Sequence, residues 1–430
     1  MSEHVLLINP NSPFLFDPCA LPPLGLLYLG AALEANGFEP RIVDLAFKES
    51  TIKGFDPFLI GIGSVTANYP GLPDLISQCR DVYPGVPIII GGPHFSIVPA
   101  DSKRLGADSV GIGDCENAII EAATDALSGE PIFSLYRSYG GVVDVNKYPI
   151  PARHLLPIHD YTYKIRKAPV TSLITSRGCP YTCAFCSHWE GYREVRFRHT
   201  ENVIEEVGIL KSMGFRTLLF FDDEFNLNHL RMMKLCKALQ SEKITFRAMA
   251  RTNLFNEEQA QALVAAGCTH LSFGVESGNA DILRSMGKQT TPEINSRARS
   301  ICRDNGILFR AFVVIGLPGE TRETALETKR WLIDNQVDEI TCTAFVPNLG
   351  SPIVKNPEQY DTQFRMAYQD HVMSYWSNEQ IQRDDLVRTS SLSATEIAEL
   401  RDEVDEDAHR GCGIEPPLRV KESTRWKNKR

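Results

Sequence analysis

The stretch Ser176-Arg177-Gly178-Cys179-Pro180-Tyr181-Thr182-Cys183-Ala184-Phe185-Cys186 decides how this chain is read. It follows the strand-like run Val170-Thr171-Ser172-Leu173-Ile174-Thr175 and precedes a helical pattern from Glu201 to Met213. Three cysteines spaced C-x3-C-x2-C can hold three irons of a cubane iron–sulfur cluster, and no fourth cysteine follows at ligand spacing. One iron then keeps an open position, which suits a centre that binds and reduces a small molecule. The bland alternative is a zinc knuckle, with His188 as a fourth donor. Zinc sites usually present two Cys-x2-Cys pairs or partner histidines, and this spacing does neither.

Downstream of the loop, apolar runs alternate with helical stretches. Thr217–Phe221, Phe246–Arg251, His270–Gly274, Leu308–Val314 and Glu339–Ala344 join Val170–Thr175 as six expected strands. Six strand–helix repeats predict a partial (β/α)6 barrel, whose chemistry sits at the carboxyl ends of the strands. The cysteine loop occupies such an end.

Upstream, residues 1–130 show a second alternating series. Val5–Asn9, Arg41–Leu45, Phe58–Gly63, Pro87–Gly92 and Asp108–Gly113 read as five nearly continuous apolar strands. Helical stretches lie between them at Leu24–Asn36, Leu72–Val82 and Glu116–Leu127. This pattern predicts a doubly wound, Rossmann-like parallel sheet covered on both faces. Ligands in such sheets bind beyond the strand carboxyl ends. Those ends carry Asn9-Pro10, Ser64-Val65-Thr66, Gly91-Gly92-Pro93-His94 and Gly113-Asp114, small enough to admit a bulky flat ligand. Residues 131–168, rich in Pro and Gly, read as a connector. Residues 351–430 are expected to form a C-terminal, substrate-proximal region, more polar from residue 356, with a helix capped by Ser393 and Glu396 running to Val404 and a basic tail from Val420.

The 430 residues are 43% hydrophobic and 23% charged, which fits an ordinary globular chain of two or three domains. A net charge of -9 argues against a nucleic-acid binder. No apolar run approaches the roughly twenty residues of a membrane span. The start, Met1-Ser2-Glu3-His4-Val5, lacks a basic region followed by an apolar core, so no signal peptide is expected. Eleven cysteines without a leader suggest the reducing cytoplasm. Those outside the loop are expected to pack as small hydrophobes.

The cysteine loop with its aromatic Phe185 resembles the signature of the radical S-adenosylmethionine superfamily. The resemblance covers roughly residues 168–350. It implies a [4Fe-4S] cluster on Cys179, Cys183 and Cys186 whose open iron chelates S-adenosylmethionine. It also implies Phe185 near the adenine, and Asp222-Asp223-Glu224 near the methionine ammonium. Arg251 would meet the cofactor carboxylate, with a structural ion pair as the bland reading. Gly274-Val275-Glu276-Ser277 would lie near the ribose. Gly316-Leu317-Pro318-Gly319-Glu320-Thr321 matches a further recurrent turn of the family.

Pro22-Pro23-Leu24-Gly25-Leu26-Leu27-Tyr28-Leu29-Gly30, Gly91-Gly92-Pro93-His94, Gly113-Asp114-Cys115-Glu116 and Pro151-Ala152-Arg153 resemble the cobalamin-binding branch of that superfamily. Cobalamin contacts are therefore expected from Asn9, Pro10, Leu24, Gly25, Ser64, Val65, Thr66, Gly91, Gly92, His94, Gly113, Asp114 and Glu116. Many cobalamin domains carry Asp-x-His-x-x-Gly after the first strand. The corresponding Leu21-Pro22-Pro23-Leu24-Gly25 lacks both Asp and His, so no lower histidine ligand is expected. His94 would be a corrin-edge contact or a satisfied turn residue. Cys115 stands where the family usually has glycine.

The resemblance implies a cobalamin-dependent radical methyltransferase acting on an unactivated carbon of a small, natural-product type molecule, with a flavodoxin- or ferredoxin-type reductant. The alternatives are a cyclase or rearrangement enzyme using the same cofactors, a methylthiotransferase with a second cluster on Cys19, Cys79 and Cys115, and a non-catalytic cobalamin or redox sensor.

Overall fold

The computed structural model describes residues 4–12, 17–137, 144–187, 190–364 and 387–415. The expected basic tail from Val420, Gly140-Gly141 of the connector and His188 lie outside them.

The first sheet comprises β1 (His4–Asn9), β2 (Glu39–Asp44), β3 (Pro57–Gly63), β4 (Ile88–Gly91), β5 (Ser109–Ile112) and β6 (Leu135–Arg137), in the order β2-β1-β3-β4-β5-β6. Every neighbouring pair is parallel. Alternation along the strands feeds two cores. Leu6, Ile8, Ile60, Ile62, Ile88 and Ile90 pack on one face with the helix Leu72–Val82. Val5, Leu7, Leu59 and Ile89 pack on the other, against the helices Leu24–Ala35 and Glu116–Leu127. The strand order reverses between β1 and β3, so a crevice opens beyond Asn9 and Gly63, where such sheets hold their ligands. β6 was not expected: it lies inside the stretch read as connector. Three residues carry too little periodicity to read, but Tyr136 is buried and its hydroxyl donates to Asp125 Oδ2 at 2.6 Å.

The second sheet begins with a hairpin of β7 (Lys164–Ile165) and β8 (Ala168–Leu173), the one antiparallel pairing in that sheet among the described residues. A two-residue ribbon, β9 (Ser176–Arg177) with β10 (Arg196–Phe197), brackets the cysteine loop. Then β11 (Thr217–Phe220), β12 (Thr245–Ala250), β13 (Cys268–Glu276), β14 (Leu308–Ile315) and β15 (Glu339–Ala344) follow. The order β15-β14-β13-β12-β11-β8-β7 is sequential, as the expected partial barrel requires. Intervening helices cover its outer face and build the largest core. The C-terminal helix runs from Ala394 to Gly411, past the expected end at Val404, because Ile397, Leu400, Val404 and Ala408 continue a buried stripe against that core. Ser393 and Glu396 form the expected capping box.

The chain between the sheets is anchored by Arg153, which is 1% exposed. Its guanidinium donates to Ser172 O at 2.7 Å and pairs with Glu206 at 2.7 Å. Arg198 shares the same carboxylate at 2.5 Å. Removing Glu206 leaves two buried guanidiniums face to face. Glu206→Ala is expected to cost about 3–5 kcal/mol, read as a lower urea midpoint at unchanged m-value.

Candidate functional site

The cysteine loop is held at both ends. At its entry, Asp222 (just after β11) accepts from Thr175 N at 2.5 Å, from Ser176 N at 3.0 Å and from the Thr175 hydroxyl. Asp222 is 1% exposed, so its charge is consumed by the loop. Its carboxylate clamps the backbone at the loop entry. Farther along, Cys179 N donates to Tyr192 O at 3.0 Å, and Ala184 N donates to Met286 O at 2.9 Å. Asn348 Nδ2 donates to Phe185 O at 3.1 Å, and the Phe185 ring packs with Ala184, Ile282, Met286 and Leu317.

Cys179 and Cys183 are buried and Cys186 is half-buried, all three as free thiols. Burial pushes Cys179 up to about 11 and Cys186 up to about 12, the latter also raised by Cys183 and Cys179 nearby. Cys179 and Cys186 therefore hold their protons until a metal centre draws them off. Among the described residues no three His, Cys, Asp or Glu side chains close around a single ion. The donor set suits a cluster, whose thiolates sit at separate corners.

A charged lattice lies beside the loop at the strand ends. Lys288 Nζ donates to Glu276 Oε1 at 2.7 Å. Arg251 lies 3.9 Å from Glu224, donates to Lys288 O and stacks over Tyr181, 3.5 Å from the ring centre. Burial raises Glu224 to about 7 although Lys288 and Arg251 oppose it. Asp223 accepts from the Tyr192 hydroxyl at 2.9 Å. A Cβ on Gly274 would come within 2.3 Å of Glu276 Oε1 and 2.5 Å of Lys288 Nζ, so the ion pair lies directly over this glycine and would have to move for any larger residue. Glu276 itself has φ +62, a left-handed backbone unusual for this residue. Ser277 turns away: it is fully buried against Thr328, 3.3 Å between hydroxyl oxygens. Lys288 and Tyr192 were missed by sequence reading, because neither lies at a strand end or in a recognisable motif.

Across the junction, the first sheet presents its crevice. Val65 is 45% exposed after β3, and open space surrounds the position of a Cβ on Gly25. Leu24 packs with Tyr28, Leu156 and Tyr161. Asn9 donates to Asp44 at 2.8 Å, and Pro10 O accepts from Asn68. Ser64 N donates to Gly91 O at 2.9 Å. Gly92 has φ +106 and its Cβ would come within 2.4 Å of Ser64 O, so the two loops touch only through glycine. An exposed valine, an open glycine and close-packed backbone form a bed that a flat apolar macrocycle fits.

His94 is 1% exposed, with Nδ1 3.2 Å from the Thr66 hydroxyl and Nε2 3.2 Å from Asp101. Both ring nitrogens are engaged inside the protein, as for a satisfied turn residue. A Cβ on Gly91 would come within 3.3 Å of Gly111 O and 3.4 Å of the Cys115 sulfur. Gly113 N donates to Ser96 Oγ at 3.0 Å. Asp114 and Glu116 meet the barrel: Arg177 lies 3.2 Å from Asp114 and 2.6 Å from Glu116, and Arg196 also pairs with Asp114. Arg177 further stacks on Tyr28 and Tyr148. The second-cluster reading fails: Cys79 and Cys115 pack on opposite faces of the first sheet, and Cys19 donates to Ala46 O.

The comparisons agree with this geometry. Residues 173–332 match the radical SAM superfamily model and residues 19–123 the B12 binding domain model. An uncharacterized methyltransferase of Pyrococcus horikoshii is 30% identical over 362 residues, 77% of each chain. An anaerobic magnesium-protoporphyrin IX monomethyl ester cyclase of Rubrivivax gelatinosus is 25% identical, over 76% of this chain and 64% of its own. The radical S-adenosylmethionine methyltransferase TsrM from Kitasatospora setae, solved with cobalamin and a [4Fe-4S] cluster, superposes with a TM-score of 0.68. It is 22% identical, over 86% of this chain and 81% of that one. The chain is a radical S-adenosylmethionine enzyme and belongs to the cobalamin-binding methyltransferase branch of that family. Among the described residues no helix is long and apolar enough to cross a membrane.

Two expectations test the site. Asp222→Ala strands the donors of Thr175 and Ser176, at a cost on the order of 3 kcal/mol, and iron retained per chain after anaerobic reconstitution should fall. Glu320 is fully buried, and burial raises it to about 8 against the pull of the Gly316 and Leu317 amides. The folded chain then keeps a proton that the unfolded chain loses above its ordinary value, so stability falls as pH rises between 4.5 and about 8. Glu320→Gln should flatten that slope in urea titrations run across the window.

Proposed function

We propose that the protein methylates an unactivated carbon of a small organic molecule, at the junction between its two parallel sheets. Cys179, Cys183 and Cys186 would hold a [4Fe-4S] cluster, and Glu224, Arg251 and Glu276 would bind S-adenosylmethionine beside it. Gly25, Val65 and the neighbouring strand ends would bed cobalamin, without a lower histidine. Bound together, these groups supply one-electron cleavage of a sulfonium and a methyl carrier. Residues 1–130 would form the cobalamin domain, 131–168 the connector, 169–350 the barrel and 351–430 the substrate-facing part. A flavodoxin or ferredoxin would deliver the electron.

One observation carries this reading: Arg177, two residues before Cys179, is ion-paired to Asp114 and Glu116 after β5. The cluster loop and the mouth of the first sheet therefore face each other across a bonded seam. The chain's own contribution is positional. The Asp222 clamp fixes the loop, and the Glu276–Lys288 pair presents charge toward a zwitterion. Phe221, 57% exposed at the end of β11, offers an apolar wall at the mouth. Such a wall keeps water from a reactive carbon centre.

Methyl transfer is favoured over cyclisation because the relative covered over 77% of its own length is described as a methyltransferase, whereas the cyclase is covered over 64%. The test is anaerobic reconstitution with iron, sulfide and hydroxocobalamin, then turnover with methyl-deuterated S-adenosylmethionine and candidate substrates. Deuterated product with both 5′-deoxyadenosine and S-adenosylhomocysteine is expected. Unlabelled, rearranged product would favour the cyclase reading, and deoxyadenosine without bound corrin would remove both. Cys183→Ala should abolish deoxyadenosine release entirely.

A further inference from the structure

A cavity of about 490 Å³ opens at the opposite end of the barrel from the cysteine loop. Its floor is formed by residues at the amino ends of β12 to β15: Arg247, His270, Arg310 and Glu339. The β7–β8 hairpin supplies the rim with Tyr163, Lys164 and Arg166. The curl of the sheet brings these two edges together, since β7 and β15 are its opposite ends.

The charges do not balance. Arg247 donates to both oxygens of Glu339, each at 2.7 Å, and to the Tyr163 hydroxyl at 3.2 Å. Its side chain is only 8% exposed, yet its Nε has no hydrogen-bond partner. Arg310 donates only to the Thr341 hydroxyl among the described residues, at 3.0 and 2.8 Å, lies over the Phe312 ring at 5.0 Å, and is 3.8 Å from the carboxylate that Arg247 already holds. His270 is 3.7 Å from Glu339, but burial and the adjoining Arg247 drive it down to about 4, so it is neutral and adds no positive charge. Lys164 and Arg166 make no ion pair among the described residues. Glu415, on the far wall, is the second carboxylate against four cations.

The hairpin tip points the same way. Arg166 and Lys167 both have positive φ, +48 and +70, in a two-residue turn that Asn and Gly fill more easily. Such a turn requires positive φ at both central residues, and it places Arg166 on the cavity rim. Arginine forks approaching from floor and rim match the several oxygens of a phosphoryl group better than a single planar carboxylate.

We propose that this cavity binds the phosphoryl group of a small anionic metabolite, at a site separate from the chemistry. It does not depend on the methyl-transfer reading, and its readout is binding alone. The full-length chain should be titrated calorimetrically with inorganic phosphate in a low-salt buffer, alongside Arg166→Ala and Arg310→Gln. One saturable site is expected, weakened about tenfold in each variant. Arg166 is exposed, so its variant should keep the wild-type circular dichroism and melting temperature. No saturable phosphate binding by the wild type, or wild-type affinity retained in either variant, overturns the proposal. Citrate titrated in parallel should bind more weakly; tighter citrate binding would overturn the phosphoryl assignment.

Discussion

Arg177 is the hinge on which the molecule's chemistry is organised. It stands two residues before the first cluster cysteine, with its guanidinium bonded to Asp114 and Glu116 of the other sheet and sandwiched by Tyr28 and Tyr148. Four groups from the first half and the connector thereby hold one side chain of the second half. A buried ion pair of this kind gives little net stability after desolvation. It does specify register, because a slip between the sheets would strand charges without partners. The cysteine loop is thus tied to the turn that follows β5 of the first sheet.

The same economy of charge shapes the loop itself. Asp222 fixes the backbone ahead of the cysteines, while Tyr192 receives the Cys179 amide and gives its hydroxyl to Asp223. Each carboxylate at the end of β11 therefore has a distinct task. Asp222 is sealed in, Asp223 is bridged by a tyrosine, and Glu224 is left beside Arg251 with its proton affinity raised by burial. Position along one turn, not residue type, separates a structural acid from one available to a ligand. At the far end of the barrel the balance is inverted, and cations outnumber the carboxylates that face them.

Much of this was legible beforehand. The parallel strands announced themselves as apolar runs, and the cysteine spacing pointed to the cluster. Short or edge elements were not: β6 and β7 hold three and two residues, too few for any period to show. The roles of acids and histidines were also hidden. His94 could be read from its loop as a ligand-edge or a turn residue; its ring nitrogens meet Thr66 and Asp101, and Asp101 lies on a helix that only folding brings near. Gly91 looked like space for a ligand, and it lies against the sulfur of Cys115, the residue that departs from the family turn.

What the sequence determined alone was the pair of alternating sheets, the three sulfur donors and the absence of a histidine in the loop after β1. These depend on periodicity and local spacing, which a chain carries in one dimension. Tertiary structure decided which charged groups remain available. Asp114 and Glu116 were taken by Arg177 and Arg196, Asp222 by its own neighbour strand, and Arg166 was carried by the curling sheet to face Arg247 and Arg310. Pairing of charges distant in sequence depends on distances that exist only once the strands are assembled.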